Sequence, residues 1–321
     1  MDHNNNVLYL KLHSSPRSNS LPKALTINSR KIPLNENLYS SFSRKIQKKL
    51  ISFFRDIKNR STLIVEYDGN FVPIFILFWA NVFYKKKFRV FLDCHVNAYL
   101  DTKSASFKTI VKRVILLIFK GILSAKIIVH NKKSMELFKD AFYCPSPFPK
   151  VNFSGNKKEN LCDVFIISSL NKDEPIDEFV KVAEKLNAEG IKTIISGDLS
   201  KLKNKETYSQ DLFSGYLDKD KFYEHIISSK IIIAMTIRKN NLLYAPREAL
   251  QMKKVCLINS SEENKDFYKD LCLYSPPVAD FIIQKIHETL KENQFLSTNK
   301  IEKLIEDVNK EIYNFKRCID T

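Results

Sequence analysis

Solid apolar runs of four or five residues recur along this chain, separated by stretches with helical spacing. The clearest pair is Ile231-Ile232-Ile233-Ala234-Met235 and Val255-Cys256-Leu257-Ile258. Between them lie a polar loop, residues 236–241, and a helical pattern over 242–252. A strand that is apolar at every position belongs in a parallel sheet covered on both faces. In such sheets the loops at the carboxyl ends of the strands form the ligand crevice. That reasoning gathers Thr236, Arg238, Asn240, Arg247 and Glu248 at a candidate site.

The same alternation runs through the rest of the sequence. In the first half the pattern predicts strands at 7–10, 62–67, 88–94 and 126–130. Helices are expected near 21–25 and over 39–58, 71–83, 107–123 and 132–139. Three prolines within 144–149 and a polar, Lys-rich stretch over 152–160 then mark a boundary. A second series follows, with strands at 164–168, 192–196 and 212–216 and helices over 175–187 and 220–228. Two further helices, 278–292 and 299–315, close the chain. Strands alternating with helices predict doubly wound parallel sheets, here two of them, in domains 1–150 and 151–321. The last helix is a candidate to pack back on the first domain.

Charge changes this picture. The chain has 321 residues and a formal net charge of +16. Residues 1–155 hold 26 Lys and Arg against 9 Asp and Glu, a net +17, while the remainder is close to neutral. A basic half attracts phosphate-bearing partners: nucleic acid, an anionic membrane or a lipid-linked phosphate. Solvated lysine-rich faces are the plainer reading, but they leave the asymmetry unexplained. Residues 71–83 are too short to span a bilayer, and residues 107–129 are interrupted by charge. Both suit buried helices, and their basic flanks also suit a surface lying on a membrane. The first apolar stretch, residues 7–10, is too short for a signal peptide. Six cysteines without CxxC spacing read as reduced core residues of a cytosolic protein.

Motifs narrow the chemistry by exclusion. With six glycines and no GxGxxG or Walker loop, the sequence argues against NAD enzymes and P-loop NTPases. No HExxH or cysteine cluster offers a metal site. Asp218-Lys219-Asp220 has the D-x-D form of a metal-nucleotide site but sits where a helix cap is needed. Ser14 to Ser18, including Arg17, forms a polar strand-to-helix turn that reads equally as an anion site or an ordinary cap. Asp93 and His95 close a strand, where a histidine is well placed for function. Arg238 and Arg247 are close enough in sequence to clamp a diphosphate, or to pair with Glu248.

The strings Ser168-Ser169-Leu170-Asn171-Lys172-Asp173-Glu174-Pro175, Ser214-Gly215-Tyr216-Leu217, Met235-Thr236-Ile237-Arg238 and Tyr244-Ala245-Pro246-Arg247-Glu248-Ala249-Leu250 follow in order. Together with Asp93-Cys94-His95 they resemble bacterial glycosyltransferases of the GT-B fold allied to glycosyltransferase family 4. The resemblance implies two Rossmann-like domains and transfer of a sugar from a nucleotide-diphosphate sugar, with no cofactor and no metal. It implies that Glu248 contacts the donor ribose and that Thr236, Arg238 and Asn240 face the donor. Ser168 would meet the nucleotide, and Ser169 and Lys172 its phosphates. Ser14, Arg17, Asp93 and the candidate catalytic His95 would lie on the acceptor side. Arg238 and Glu248 complete the expected catalytic set.

The sequence departs from the family pattern at Asn240, where a second glutamate is usual, at Lys253-Lys254, and in the serine-rich turn that replaces a glycine-rich loop. The basic first half fits a lipid-linked saccharide acceptor on the inner face of the cytoplasmic membrane and a surface polysaccharide product. Other classes remain in view: a GT-B polyol-phosphate transferase, an inactive transferase-like partner, and a basic nucleic-acid binder. The last lacks any recognised nucleic-acid module, so no nucleic-acid partner is expected.

Overall fold

The computed structural model describes residues 4–11, 16–31, 54–67, 77–78, 80–82, 84, 88–94, 107–138, 140–151, 161–202, 204–238, 241–292 and 297–320. The helix expected over 39–58 is therefore seen only from residue 54 onward, and Ser14, His95 and Asn240 lie outside the described residues. Two compact units are present. One comprises Met1–Pro147 together with Asp307–Thr321, the other Phe148–Glu306.

The first unit carries β1 (Asn4–Lys11), β2 (Ile27–Lys31), β3 (Thr62–Tyr67), β4 (Arg89–Cys94), β5 (Lys126–Val129) and β6 (Phe142–Tyr143). They form one parallel sheet in the order β2-β1-β3-β4-β5-β6. Alternate strand residues supply opposite faces. Leu8, Leu10, Leu63, Val65, Val90, Leu92 and Ile127 point to one face. There they pack against Leu77 and Ala80, both in helical backbone, and against Leu116 and Leu123 of α2 (Phe107–Leu123). The helix α1 (Pro16–Ala24) links β1 to β2. On the opposite face, Phe91 and Phe142 meet Phe315 edge-on, with centroids 5.7 Å and 6.2 Å from it.

Phe315 belongs to the terminal helix α8 (Thr298–Asp320), whose residues from Asp307 onward cluster with this unit. Arg89 Nη2 donates to the Cys318 carbonyl at 2.6 Å, and Lys316 Nζ to Thr26 Oγ1 at 2.5 Å.

The second unit repeats the scheme with β7 (Val164–Ile166), β8 (Thr193–Ile195), β9 (Ile231–Ala234), β10 (Val255–Asn259) and β11 (Leu273–Ser275). Their order is β8-β7-β9-β10-β11, again all parallel. The helices α3 (Ile176–Ala188) and α7 (Ala279–Glu292) pack on one face through Phe179, Val182, Leu186, Ile282 and Ile286. On the other face Phe222 and His225 of α4 (Lys219–Ser228) lie against Phe165, with centroids 5.9 Å and 5.1 Å away.

The buried strands and long helices follow the apolar pattern closely. The differences have local causes. The helix α5 (Ala245–Gln251) starts three residues later than the expected 242, with Pro246 in its first turn, where the missing N–H costs no hydrogen bond. The expected helix over 132–139 is a 3-10 turn, Lys133–Leu137, started by Asn131, whose Oδ1 accepts from Ser134 N at 2.7 Å. The strands β2, β6 and β11 and the short helix α6 (Glu262–Tyr268) carry no apolar signal of their own. None of the six cysteines is in a disulfide, and five of them are buried.

Candidate active site

In both sheets the strand order reverses direction once, between β1 and β3 and between β7 and β9. Chains leaving the carboxyl ends of β7 and β9 run to opposite sides, which opens a crevice where ligands bind in open α/β sheets. In the second unit, two segments that the sequence singled out flank that point.

After β7 the chain makes a tight turn through Ser168, Ser169, Leu170 and Asn171. Leu170 has a left-handed backbone, φ 57°, a conformation costly for a side chain larger than glycine. The Glu174 carboxylate holds it there. It accepts from Ser168 Oγ at 2.6 Å, Ser169 Oγ at 2.8 Å, Ser169 N at 3.0 Å and Asn171 N at 3.2 Å. Beneath the turn, Ser196 Oγ both receives from Ser168 N at 2.8 Å and donates to Ser168 O at 2.9 Å.

Gly197, with φ 121°, leaves room for the turn. A Cβ there would sit 2.7 Å from Leu170 Cγ and 3.2 Å from Ser168 O. A Gly197→Ala variant is expected to lose about 1–3 kcal/mol through backbone strain and this collision. Urea unfolding checks it, and an unchanged midpoint would show that the turn is not held from below.

After β9 comes Met235-Thr236-Ile237-Arg238, which the turn grips through Asp173. Thr236 Oγ1 donates to Asp173 O at 2.8 Å, Ile237 N to the same oxygen at 2.8 Å, and Arg238 Nε pairs with Asp173 Oδ2 at 3.2 Å. Thr236 is buried; Arg238 and Lys172 are exposed. Ser168, Ser169, Lys172, Thr236 and Arg238 therefore belong to one hydrogen-bonded pair of loops at the switch point.

Glu248 is half-buried on α5. Burial pushes its carboxyl up to about 7, with Lys219 pulling the other way. Its charge in turn helps raise the Tyr223 phenol to about 12, a shift caused mainly by burial. Lys219 Nζ stands over the Tyr223 ring at 5.5 Å. Lys219 and Tyr223, on α4, are thus neighbours of Glu248 that the sequence pattern did not nominate. Asp218 caps α4, accepting from Lys221 N at 2.9 Å, which settles the D-x-D string as the expected cap.

Arg247 has a different job from the clamp considered for it. Its side chain is 1% exposed, and its guanidinium sits among Phe148, Tyr244 and Phe267 at 5.7, 5.6 and 4.7 Å. Stacked cations of this kind fasten structure. Together with Tyr268, whose hydroxyl donates to Leu243 O at 2.6 Å, the box fixes the start of α5 and hence the position of Glu248.

In the first unit Asp93 is wholly buried at the end of β4. Tyr9 donates to its Oδ2 at 2.6 Å, and His130 Nε2 lies 3.1 Å from Oδ1. Glu66, also buried, is its register neighbour on β3. Tyr9 and His130 were not expected here, since they come from β1 and from just beyond β5. Arg17 lies in the first turn of α1. Among the described residues no group of three or more His, Cys, Asp or Glu could hold a metal ion. Nor is any helix among them long and apolar enough to cross a membrane.

Two doubly wound parallel sheets in successive units define an α/β protein of the GT-B fold class. Among solved structures the chain is similar to HepE from Anabaena in complex with UDP-glucose, with a TM-score of 0.68, 10% identity and 98% of each chain covered. It is also similar to sucrose-phosphate synthase from Thermosynechococcus elongatus, with a TM-score of 0.60, 12% identity and 98% and 94% covered. A glycosyltransferase from Rickettsia africae gives a TM-score of 0.62, 13% identity and 97% and 94% covered. No family model matches the sequence, and no curated protein sequence is similar to it. At these identities the likeness establishes the fold, and a fold alone does not fix a reaction.

Proposed function

We propose that this protein is a glycosyltransferase that moves a sugar from a nucleotide-diphosphate sugar to an acceptor hydroxyl. The observation that carries the reading is the pair of loops at the β7/β9 switch point, cross-linked through Asp173 and Glu174, with exposed Lys172 and Arg238 upon them. The fold shared with HepE, a protein solved with UDP-glucose, supports it.

In this reading the nucleotide base lies against the 168–171 turn, Ser169 and Asn240 contact the donor, and Glu248 receives the ribose hydroxyls. The bond from the anomeric carbon to the β-phosphate oxygen breaks as the bond to the acceptor oxygen forms. The acceptor proton passes to a base, for which His95 is the candidate, with Ser14, Arg17 and Asp93 on the same side. Negative charge then collects on the β-phosphate. Cations already in place lower the barrier more than ones that must reorganise. Lys172 and Arg238 supply that charge without a metal. Arg238 is the exposed partner of half-buried Asp173, so its guanidinium can also meet a phosphate from solvent.

The acceptor in this proposal is a saccharide on a lipid diphosphate, and the product a surface polysaccharide. The enzyme is a peripheral protein on the inner face of the cytoplasmic membrane. The net +17 of residues 1–155 supports that part. A thermal-shift panel of UDP-, GDP-, CMP- and dTDP-sugars, with and without EDTA, tests the donor site. A saturating donor at about a hundred times its Kd adds roughly 2.7 kcal/mol. One nucleotide class is expected to stabilise the protein regardless of EDTA. No shift from any of them overturns the reading.

A further inference from the structure

The helix α2 is apolar on both sides. Leu116 and Leu123 are buried against the sheet. On the opposite side Ile110, Val111, Val114, Leu117, Ile118 and Ile122 are exposed, Ile118 at 54% and Ile122 at 55%. At 3.6 residues per turn these six positions make a stripe about 18 Å long and about 140° wide. A helix on a soluble domain turns its second face to water and makes it polar. Leu77 and Ala80 pack on the same face of the sheet, and the helical Phe78 and Val82 beside them are exposed.

The charges of α2 are all of one sign. Its sequence holds Lys108, Lys112, Arg113 and Lys120 and no acidic residue. Helical phase sets Arg113 and Lys120 along one border of the stripe. Lys120 also reaches Asp140 at 2.8 Å, and Arg113 stands 6.0 Å over the Phe138 ring. An apolar strip on a helix whose only charges are basic matches an anionic bilayer surface: the strip sinks to the headgroup–acyl boundary and the cations meet phosphates. A second copy of this chain fits poorly, because two such helices, each basic and without an acidic residue, would bring like charges together. With 17 residues and charges within it, α2 is not long and apolar enough to cross a bilayer.

We propose that the outer face of α2 is the surface by which the first unit docks on an anionic lipid leaflet. The proposal rests on the reading of a membrane-held acceptor and names the face that meets the membrane. It is tested by co-sedimentation with vesicles of phosphatidylcholine alone and with one quarter phosphatidylglycerol, for the full chain and for an Ile118→Glu/Ile122→Glu variant. Circular dichroism and gel filtration accompany both proteins.

The wild type is expected to sediment with the anionic vesicles, weakly with the neutral ones, and less at high salt. The double variant, folded and with exposed substitutions, is expected to lose at least tenfold in binding. A Lys108→Glu/Lys112→Glu variant should lose the preference for anionic lipid. Indifference of the wild type to anionic vesicles overturns the proposal. So does undiminished binding by the folded double variant, or a wild-type dimer that this variant dissociates. The nucleotide-sugar panel is run on the same preparations. Vesicle binding that the variant abolishes, with no donor shift, upholds this surface and removes the transferase reading.

Discussion

The substitution Glu248→Gln is expected to stabilise the unliganded protein at pH 8 and to disable it. Burial holds the proton of Glu248 in the folded chain up to about pH 7, against an ordinary value of 4.5. Between those values the folded state binds more protons than the unfolded one, so stability falls as pH rises through that window. A shift of this size amounts to roughly 3 kcal/mol, all of it lost by pH 8. An amide avoids that loss because it never ionises.

Donor binding runs the other way. Ribose hydroxyls donate to the carboxylate and favour its charged form. Wild-type donor affinity should therefore rise from pH 6 to pH 8 by roughly tenfold, with a proton released on binding. The Gln variant should bind about a hundredfold more weakly, the worth of one or two hydrogen bonds to a charged group, and with little pH dependence. Urea midpoints at pH 5 and pH 8, with a donor titration at each, decide the matter. A Gln variant with wild-type affinity would remove Glu248 from the donor site, whatever its stability.

Strands that are buried on both faces announced themselves as apolar runs, which is why β7, β9 and β10 could be read almost to the residue. β2, with the sequence Ile27-Asn28-Ser29-Arg30-Lys31, and the three-residue β11 are edge strands with no comparable signal. Local chemistry was legible too. Asp218 caps a helix through a backbone N–H three residues away.

Long-range chemistry was not legible. The aromatic box around Arg247 draws on Phe148, almost a hundred residues distant, so the same arginine read as a phosphate clamp. Asp93 stood out at a strand end, but its partners Tyr9 and His130 arrive only when β1 and β5 join the sheet. Glu174 was hidden for another reason. In sequence it precedes Pro175 and a helix with acidic residues in its first turn, where a carboxylate needs no further explanation. Its role depends on the left-handed Leu170, and no glycine marks that position.

That hidden carboxylate carries the second large effect. In a Glu174→Ala variant, four donors of the 168–171 turn lose their common acceptor. Ser169 and Asn171 are exposed, so water replaces part of what is lost. The stability cost should therefore be about 1–2 kcal/mol, the low end for a lost charged acceptor. The geometry fares worse. Leu170 holds a strained backbone only while the bonds around it insist on it, and Ser168, Ser169 and Lys172 are positioned by the same turn.

Donor affinity is expected to fall by more than tenfold, out of proportion to stability. Glu174→Gln should do no better, although it keeps the shape. One carboxylate oxygen becomes an NH2 group facing N–H and O–H donors, so the amide repels part of the turn that the carboxylate gathered. Glu174→Asp should fall between, since its shorter arm reaches fewer of the four donors. Donor titrations on the three variants, each beside its urea midpoint, separate the effects. If Ala and Gln both bind donor as tightly as wild type, the turn does not position the nucleotide. If Gln alone retains affinity, shape matters there and charge does not. A loss in both, larger than their shared loss of stability, identifies Glu174 as the residue that sets the donor side of the site.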